Sequence, residues 1–324
     1  LIDYPGFSEL GYQLLRELGR NREGGRIAYL AHALKSNQKV VIKEFKFTGA
    51  DWFGGKAYER ETQILQRLNH ARIPRYLDSF ETPEGFYLVQ EYKDAPSLGL
   101  KRCYHPEEIK QIALSILEIL VYLQQQVPPI IHRDIKPENI LVDEQLNAYL
   151  VDFGLARFKG GKTAMSSFVV GTPGFMPPEE HFGHMLTEAS DLYSLGATVI
   201  CLLTNTRATD IGKFIDDKYR FNCQNLFPHL KPRFRLWAIK MVERNQHRRY
   251  RNASESLAAL KPLQVIGTAT WIDHLIVAVA SINRIHLIGL AIVGTITLVG
   301  AALVIAQPKL LENSRPNSLE QTLN

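Results

Sequence analysis

The run Ile131-His132-Arg133-Asp134-Ile135-Lys136-Pro137-Glu138-Asn139 gathers an isolated carboxylate (Asp134), two cations and an amide in one short stretch. Apolar residues flank it, Pro129-Ile130-Ile131 before and Ile140-Leu141-Val142 after. A polar cluster pinned between two buried, strand-like runs is more than a solvated charge patch. Val151-Asp152-Phe153-Gly154 repeats the design, with one carboxylate at the end of an apolar strand and a glycine to turn the chain. Two acids and an amide can hold divalent metal on a polyphosphate and leave one acid to accept a proton. That is the equipment of phosphoryl transfer.

The rest of the chain is compatible with such a site. Its 324 residues suit one large two-lobed domain or two domains, and 45% apolar residues can bury a real core. A net charge of +5 over this length implies no nucleic-acid partner. Cys103, Cys201 and Cys223 are widely spaced and odd in number, which fits a reducing compartment rather than zinc or a disulfide framework. No signal-peptide pattern opens the sequence.

The run around Asp134 resembles the catalytic loop of protein kinases, and Asp152-Phe153-Gly154 resembles their metal-binding motif. Further motifs follow in the family order across residues 12–262, and Lys136 is the variant similar to the Ser/Thr branch. The resemblance implies an α+β, two-lobed fold. A β-rich N-lobe would span residues 10–92 and a helical C-lobe residues 93–262, with ATP and Mg2+ (or Mn2+ in its place) bound between them. The substrates would be proteins carrying Ser or Thr.

In the first lobe, residues 12–18 and 27–31 pattern as two strands around the tip 20–26. The plain reading is a hairpin with a Gly- and Asn-rich end. The functional one is a flap whose backbone N–H groups approach phosphates. Gly19 and Gly24 fit the outer glycines of the family pattern, and Asn21, which tolerates left-handed torsions, takes the middle place. Val40-Val41-Ile42-Lys43 is a β-branched strand carrying one cation, and residues 55–69 have helical spacing with Ile64, Leu65 and Leu68 on one face. Lys43 is either an edge residue facing water or the phosphate-pairing lysine. Glu61 is either a solvated helix acid or the partner of that lysine, whereas Glu59 points off the face. The resemblance favours the ion pair. It assigns ATP binding to Leu18, Gly19, Asn21, Gly24, Ile27, Val41, Lys43, Glu61, Gln90, Glu91 and Lys93. Gln90 would be the gatekeeper, and the Glu91 carbonyl and Lys93 amide would form the adenine-binding hinge. Val41 stands where Ala is usual and should narrow the adenine slot.

In the second lobe, His105-Pro106-Glu107-Glu108 opens a long scaffold helix with Pro and acids in its first turn. The resemblance makes Asp134 the base, Lys136 a contact to the transferred phosphoryl group, and Asn139 and Asp152 the metal ligands. His132 fits a packed core histidine. Arg133 is either a surface cation or a receptor for phosphate on the loop 152–179, where Thr163, Ser166 and Ser167 are the candidate sites. Thr172 belongs to a substrate-docking turn and would bond near Asp134 and Lys136. Pro177-Pro178-Glu179 stands where Ala-Pro-Glu is usual, and Arg249 is the expected partner of Glu179. Asp191 is expected to hold the catalytic loop backbone.

Beyond the kinase-like part, Leu287 to Ala306 is about twenty uncharged residues, long enough to cross a hydrocarbon core, bracketed by Arg284 and Lys309. The expectation is a transmembrane helix over 285–306. An amphipathic juxtamembrane segment over 263–284, anchored by Trp271, would precede it, and a short polar tail over 307–324 would follow. The catalytic part then faces the cytoplasm, where ATP is. A homodimer phosphorylating its own loops in trans is compatible with this layout. The alternative is a catalytically weak or silent kinase-fold scaffold at the membrane, for which Asn21, Val41, Gln90 and Pro177 are the departures. A small-molecule phosphotransferase shares the acid-and-amide core, but Lys136, Thr172 and Glu179 stand in protein-kinase positions.

Overall fold

The computed structural model describes residues 7–21, 26–46, 53–100, 102–160, 172–222 and 227–267. The chain divides into two compact units, Leu1–Thr268 and Ala269–Asn324. The second unit lies outside the described residues, and with it the expected membrane helix and tail. Gly24, Thr163, Ser166, Ser167 and the side chain of Asn21 lie outside them as well. Among the described residues no helix is long and apolar enough to cross a membrane.

The first unit opens with a five-stranded antiparallel sheet, β1 (Tyr12–Asn21), β2 (Arg26–Ala33), β3 (Gln38–Lys46), β4 (Tyr76–Thr82) and β5 (Gly85–Glu91), in the order β1-β2-β3-β5-β4. Both faces of β3 are used. Val40 and Ile42 join Ala31, Tyr87, Val89 and Phe7 in a small cluster on one face. Val41, Lys43 and Phe45 alternate onto the other, as the period of two requires. There Phe45 packs with Ile64, Leu65 and Leu68 of and just after α1 (Phe53–Arg67). The predicted apolar stripe is therefore the one that buries. The same stripe brings Glu61, one turn before Leu65, onto the inner face with no exposure.

The second lobe is built from α2 (Pro106–Gln124), four short strands and α3 (Pro178–His181), followed by α4 (Glu188–Leu203), α5 (Pro232–Met241) and α6 (Ala253–Leu260). Helix α2 starts where the sequence says. Pro106 needs no amide partner at the first turn, and the Glu108 carboxylate accepts the His105 N–H at 2.7 Å. Helix α4 begins at Glu188 because Thr187 caps it by accepting the Ala189 N–H at 3.3 Å. From Ala189 to Cys201 every residue of α4 is buried. A helix apolar on all sides is a central one.

The short strands β6 (Ile130–Ile131), β7 (Ile140–Val142), β8 (Ala148–Leu150) and β9 (Arg157–Phe158) pair as two antiparallel ribbons, β6 with β9 and β7 with β8. Ile130, Ile131, Ile140, Val142, Ala148 and Leu150 are all buried. Burying each of the larger aliphatic side chains contributes about 1.5–3 kcal/mol. The polar run 132–139 is the loop between β6 and β7, and Asp152 lies between β8 and β9. Two anchored ribbons thus hold both acid-bearing turns by both ends.

Candidate active site

Lys43 lies in mid-strand, across from Ala28 on β2 and Leu88 on β5. Its Nζ donates to Glu61 Oε1 at 2.5 Å and to Asp152 Oδ1 at 2.9 Å, so one cation ties sheet, helix and metal-motif turn together. Burial works against the charge of Lys43, but the Asp152 and Glu61 carboxylates outweigh it and raise its pKa. Burial also works against the charge of Asp152, yet Lys43 and Arg26 hold its carboxyl far below the usual range. Phe153 is buried and meets the His132 ring edge-on at 4.7 Å, which fixes the turn that carries Asp152.

Asp134 sits in a short polar chain. Lys136 Nζ lies 3.1 Å from Asp134 Oδ2 and donates to Thr172 Oγ1 at 2.8 Å. Asn139 Nδ2 donates to the Asp134 backbone oxygen and to its Oδ2, both at 2.8 Å. With its nitrogen committed there, Asn139 keeps an amide oxygen for another partner, and Asp152 keeps its second carboxylate oxygen. Two such hard oxygens suit a divalent cation that draws its other ligands from phosphate and water. Among the described residues no group of three or more His, Cys, Asp or Glu converges as a metal cage.

The backbone of this loop is held from below. Asp191 accepts the His132 N–H at 2.8 Å and the Arg133 N–H at 2.9 Å. Burial pushes the Asp191 carboxyl up to about 6 against the pull of those two bonds. Glu179 and Arg249 form a bidentate pair, 2.7 Å at each contact. Ser190 donates to the same carboxylate at 2.8 Å, and the Glu243, Ala189 and Arg244 carbonyls accept from the guanidinium. Pro177 caps α3 without disturbing this pair.

Of the two readings of Arg133, the phosphate receptor depends on residues 161–171, which lie outside the described residues. The Arg133 side chain is 9% exposed, so it is no surface cation, and its guanidinium is already bound by the Glu180 carboxylate through Nε, at 2.9 Å, and Nη2. Glu180 was not among the sequence candidates. It neighbours Glu179, and no spacing rule tells which of two adjacent acids on a four-residue helix turns inward.

The nucleotide-facing set divides. Val41 pairs with Gln90 and with Leu30, and all three share the face of Lys43. Ile27, expected to line the nucleotide site, is corrected by the register. It pairs with Glu44, on the face opposite Lys43, and Ala28 takes the cleft-facing place. Leu18 lies at a bulge of β1, beside Gly19, and is exposed. At the hinge the Glu91 N–H donates to the Arg75 carbonyl at 2.9 Å. The Lys93 side chain donates to the Ala71 carbonyl at 2.8 Å and pairs with Glu91 at 2.9 Å, so only its backbone is left for an adenine edge. Arg26, at the start of β2, is the other residue missed. It shares the face of Ala28 and Lys43 and reaches Gly154. Its place depends on strand register across a loop, which the sequence pattern does not set.

The chain is similar to known proteins. Serine/threonine-protein kinase B of Synechocystis sp. is 34% identical over 273 residues, 77% of this chain and 46% of its own length. Serine/threonine-protein kinase D of the same organism is 31% identical over 289 residues, covering 84% of this chain and 56% of its own length. Serine/threonine-protein kinase PrkC of Bacillus subtilis is 33% identical over 201 residues, 60% of this chain and 30% of its own. The chain thus spans about half the length of the first two relatives. The profile of the protein kinase domain matches residues 12–260, from β1 to the end of α6, and the chain therefore belongs to the protein kinase domain family.

Proposed function

We propose that this chain is an ATP-dependent Ser/Thr protein kinase, anchored in a membrane by residues 285–306 with its catalytic unit on the cytoplasmic side. The family implies ATP and a divalent metal. The observation that carries the reading is Lys43, bonded at once to Glu61 and Asp152. A silent scaffold has no need of a buried lysine kept charged beside a metal-binding acid. The bridge from Asp134 through Lys136 to Thr172 favours a Ser or Thr hydroxyl over a small-molecule acceptor.

In this reading Lys43, oriented by Glu61, holds the non-transferred phosphates, and the backbone at Glu91 and Lys93 holds the adenine edge. Asp152 and the Asn139 oxygen would hold Mg2+, which would supply charge neutralisation at the phosphates. Asp134 orients the incoming hydroxyl and accepts its proton. Lys136 faces the transferred phosphoryl group, and the γ-phosphorus exchanges its bond to the ADP oxygen for one to the substrate oxygen. Substrates include the chain's own Thr163, Ser166 or Ser167, phosphorylated by a second copy.

The test is transfer of label from γ-labelled ATP to a generic protein substrate or to the chain itself, with Mg2+. Asp134→Asn should lower the rate by about 10²-fold or more, the usual share of a positioned base. A folded chain that binds ATP but transfers nothing would return the scaffold reading.

A further inference from the structure

The cleft holds one cation that none of these roles uses. Arg26 is the first residue of β2. It pairs with Phe45, two positions along from the Ala28–Lys43 pair, so its side chain leaves the sheet on the Lys43 face. From there it crosses to the turn that follows Asp152. A β-carbon placed on Gly154 would fall 2.1 Å from Arg26 Nη1 and 3.3 Å from its Cζ, and 3.2 Å from Glu61 Oε2. The guanidinium therefore rests on Gly154, in room that only a glycine leaves. Its charge acts on both carboxylates beside it, Asp152 and Glu61.

Yet Arg26 bonds to neither. Among the described residues no hydrogen bond or ion pair engages its guanidinium, and Glu61 Oε2 is itself buried without a partner. A structural salt bridge would close that gap, since a guanidinium offers a planar fork that matches a carboxylate with two parallel bonds. Here the fork and the orphan oxygen stand side by side, unjoined. The local charges, Lys43 and Arg26 against Glu61 and Asp152, balance without a ligand. A polyphosphate entering next to Lys43 adds negative charge, and Arg26, on the same face of the sheet, has no hydrogen bond or ion pair from its guanidinium among the described residues.

We propose that Arg26 is a phosphate-binding residue of this kinase, stored over Gly154 by the attraction of the two acids and transferred to the nucleotide's phosphate oxygens when ATP or ADP binds. The inference rests on the proposed ATP site and adds a ligand to it. It also gives the flap a side-chain donor where Asn21 replaces a glycine.

The experiment compares binding of ADP, of ATP with Mg2+ and of adenosine to the 324-residue chain, purified in detergent, with Arg26→Met and Arg26→Lys variants. Removing charged hydrogen bonds to phosphate should weaken ADP and ATP about tenfold or more in Arg26→Met. Adenosine affinity should stay within about twofold, and Arg26→Lys should recover part of the loss. In turnover, the KM for ATP should rise more than kcat falls. Equal weakening of adenosine would mean that Arg26 only supports the fold of the cleft. Unchanged ADP affinity would remove it from the site, and tighter ADP binding would make it a plug that competes with nucleotide. Each of these overturns the proposal while leaving the kinase reading intact. A wild-type chain that binds no nucleotide would overturn both.

Discussion

Arg133 and Asp152 both hold left-handed backbone torsions, with φ of 70° and 64°, at positions where glycine would be at ease. Such torsions cost about 1–3 kcal/mol each at ordinary residues and persist only where the surroundings over-determine them. The Asp191 carboxylate does so at Arg133, and the Lys43 contact does so at Asp152. His132, next to this strained turn, has no exposure, and burial lowers its pKa to about 4. The unfolded chain then takes up a proton near the ordinary value of about 6.5 while the folded chain does not. Stability from this group is complete above about pH 6.5 and falls by about 1.4 kcal/mol per unit as pH drops toward 4. Asp191 works in the opposite sense over about pH 4 to 6, since its raised pKa lets the folded state protonate first. The informative quantity is therefore a difference. His132→Phe should lose less stability than the wild type between pH 7 and pH 5, by about 2 kcal/mol in chemical denaturation. Equal losses in the two proteins would mean that His132 titrates normally. At this scale the sequence was legible where a family motif names the residue, and Lys43, Glu61 and Asp152 do meet as the motifs imply, although 109 positions separate Lys43 from Asp152. It was not legible for Glu180, whose partner Arg133 is 47 residues away, nor for Arg26, whose partner surface is Gly154.

Among the helices, α4 is buried at every residue from Ala189 to Cys201, and at Gly196 it comes close to the end of α5. A β-carbon there would lie 2.6 Å from Met241 Cβ and 2.8 Å from Val242 Cγ1, at the end of α5. Neither is the loose end of a flexible side chain, so the helices must part to admit a methyl group. Gly196→Ala should destabilise the catalytic unit by about 1–3 kcal/mol, although alanine is the better helix former. A rise in the denaturation midpoint would show instead that α4 and α5 have slack. Helix α1 was legible because Ile64, Leu65 and Leu68 fix its buried face, and Glu61 follows from the same spacing. For Ile27 of β2 the sequence pattern points to the wrong face. A strand has a period of two, so a one-residue slip reverses every side chain. The tip 20–26 carries no alternation that could settle the register. It took pairing with β3 to place Ala28 rather than Ile27 beside Lys43.

At the scale of the molecule, residues 12–260 account for the kinase match, and a second unit follows at Ala269–Asn324. Its uncharged run is long enough to span a bilayer, so the full chain should sediment with membranes and resist extraction by high salt or alkali. Deleting residues 269–324 should release the catalytic unit to the supernatant with its ATP affinity intact. Recovery of the full chain in the soluble fraction would remove the anchor from the proposal. The other end of the chain has a consequence of its own. Phe7 comes from a short 3-10 helix, Phe7–Leu10, that precedes the family match. Its ring lies 5.0 Å from Tyr87 and 5.9 Å from Phe80, where it closes the apolar cluster on the far side of the sheet. A protein trimmed to the family boundary at Tyr12 would present those aromatic rings to water. Exposed apolar faces of that kind drive association, so a fragment with every catalytic residue in place would still clump and precipitate, for want of a single phenylalanine.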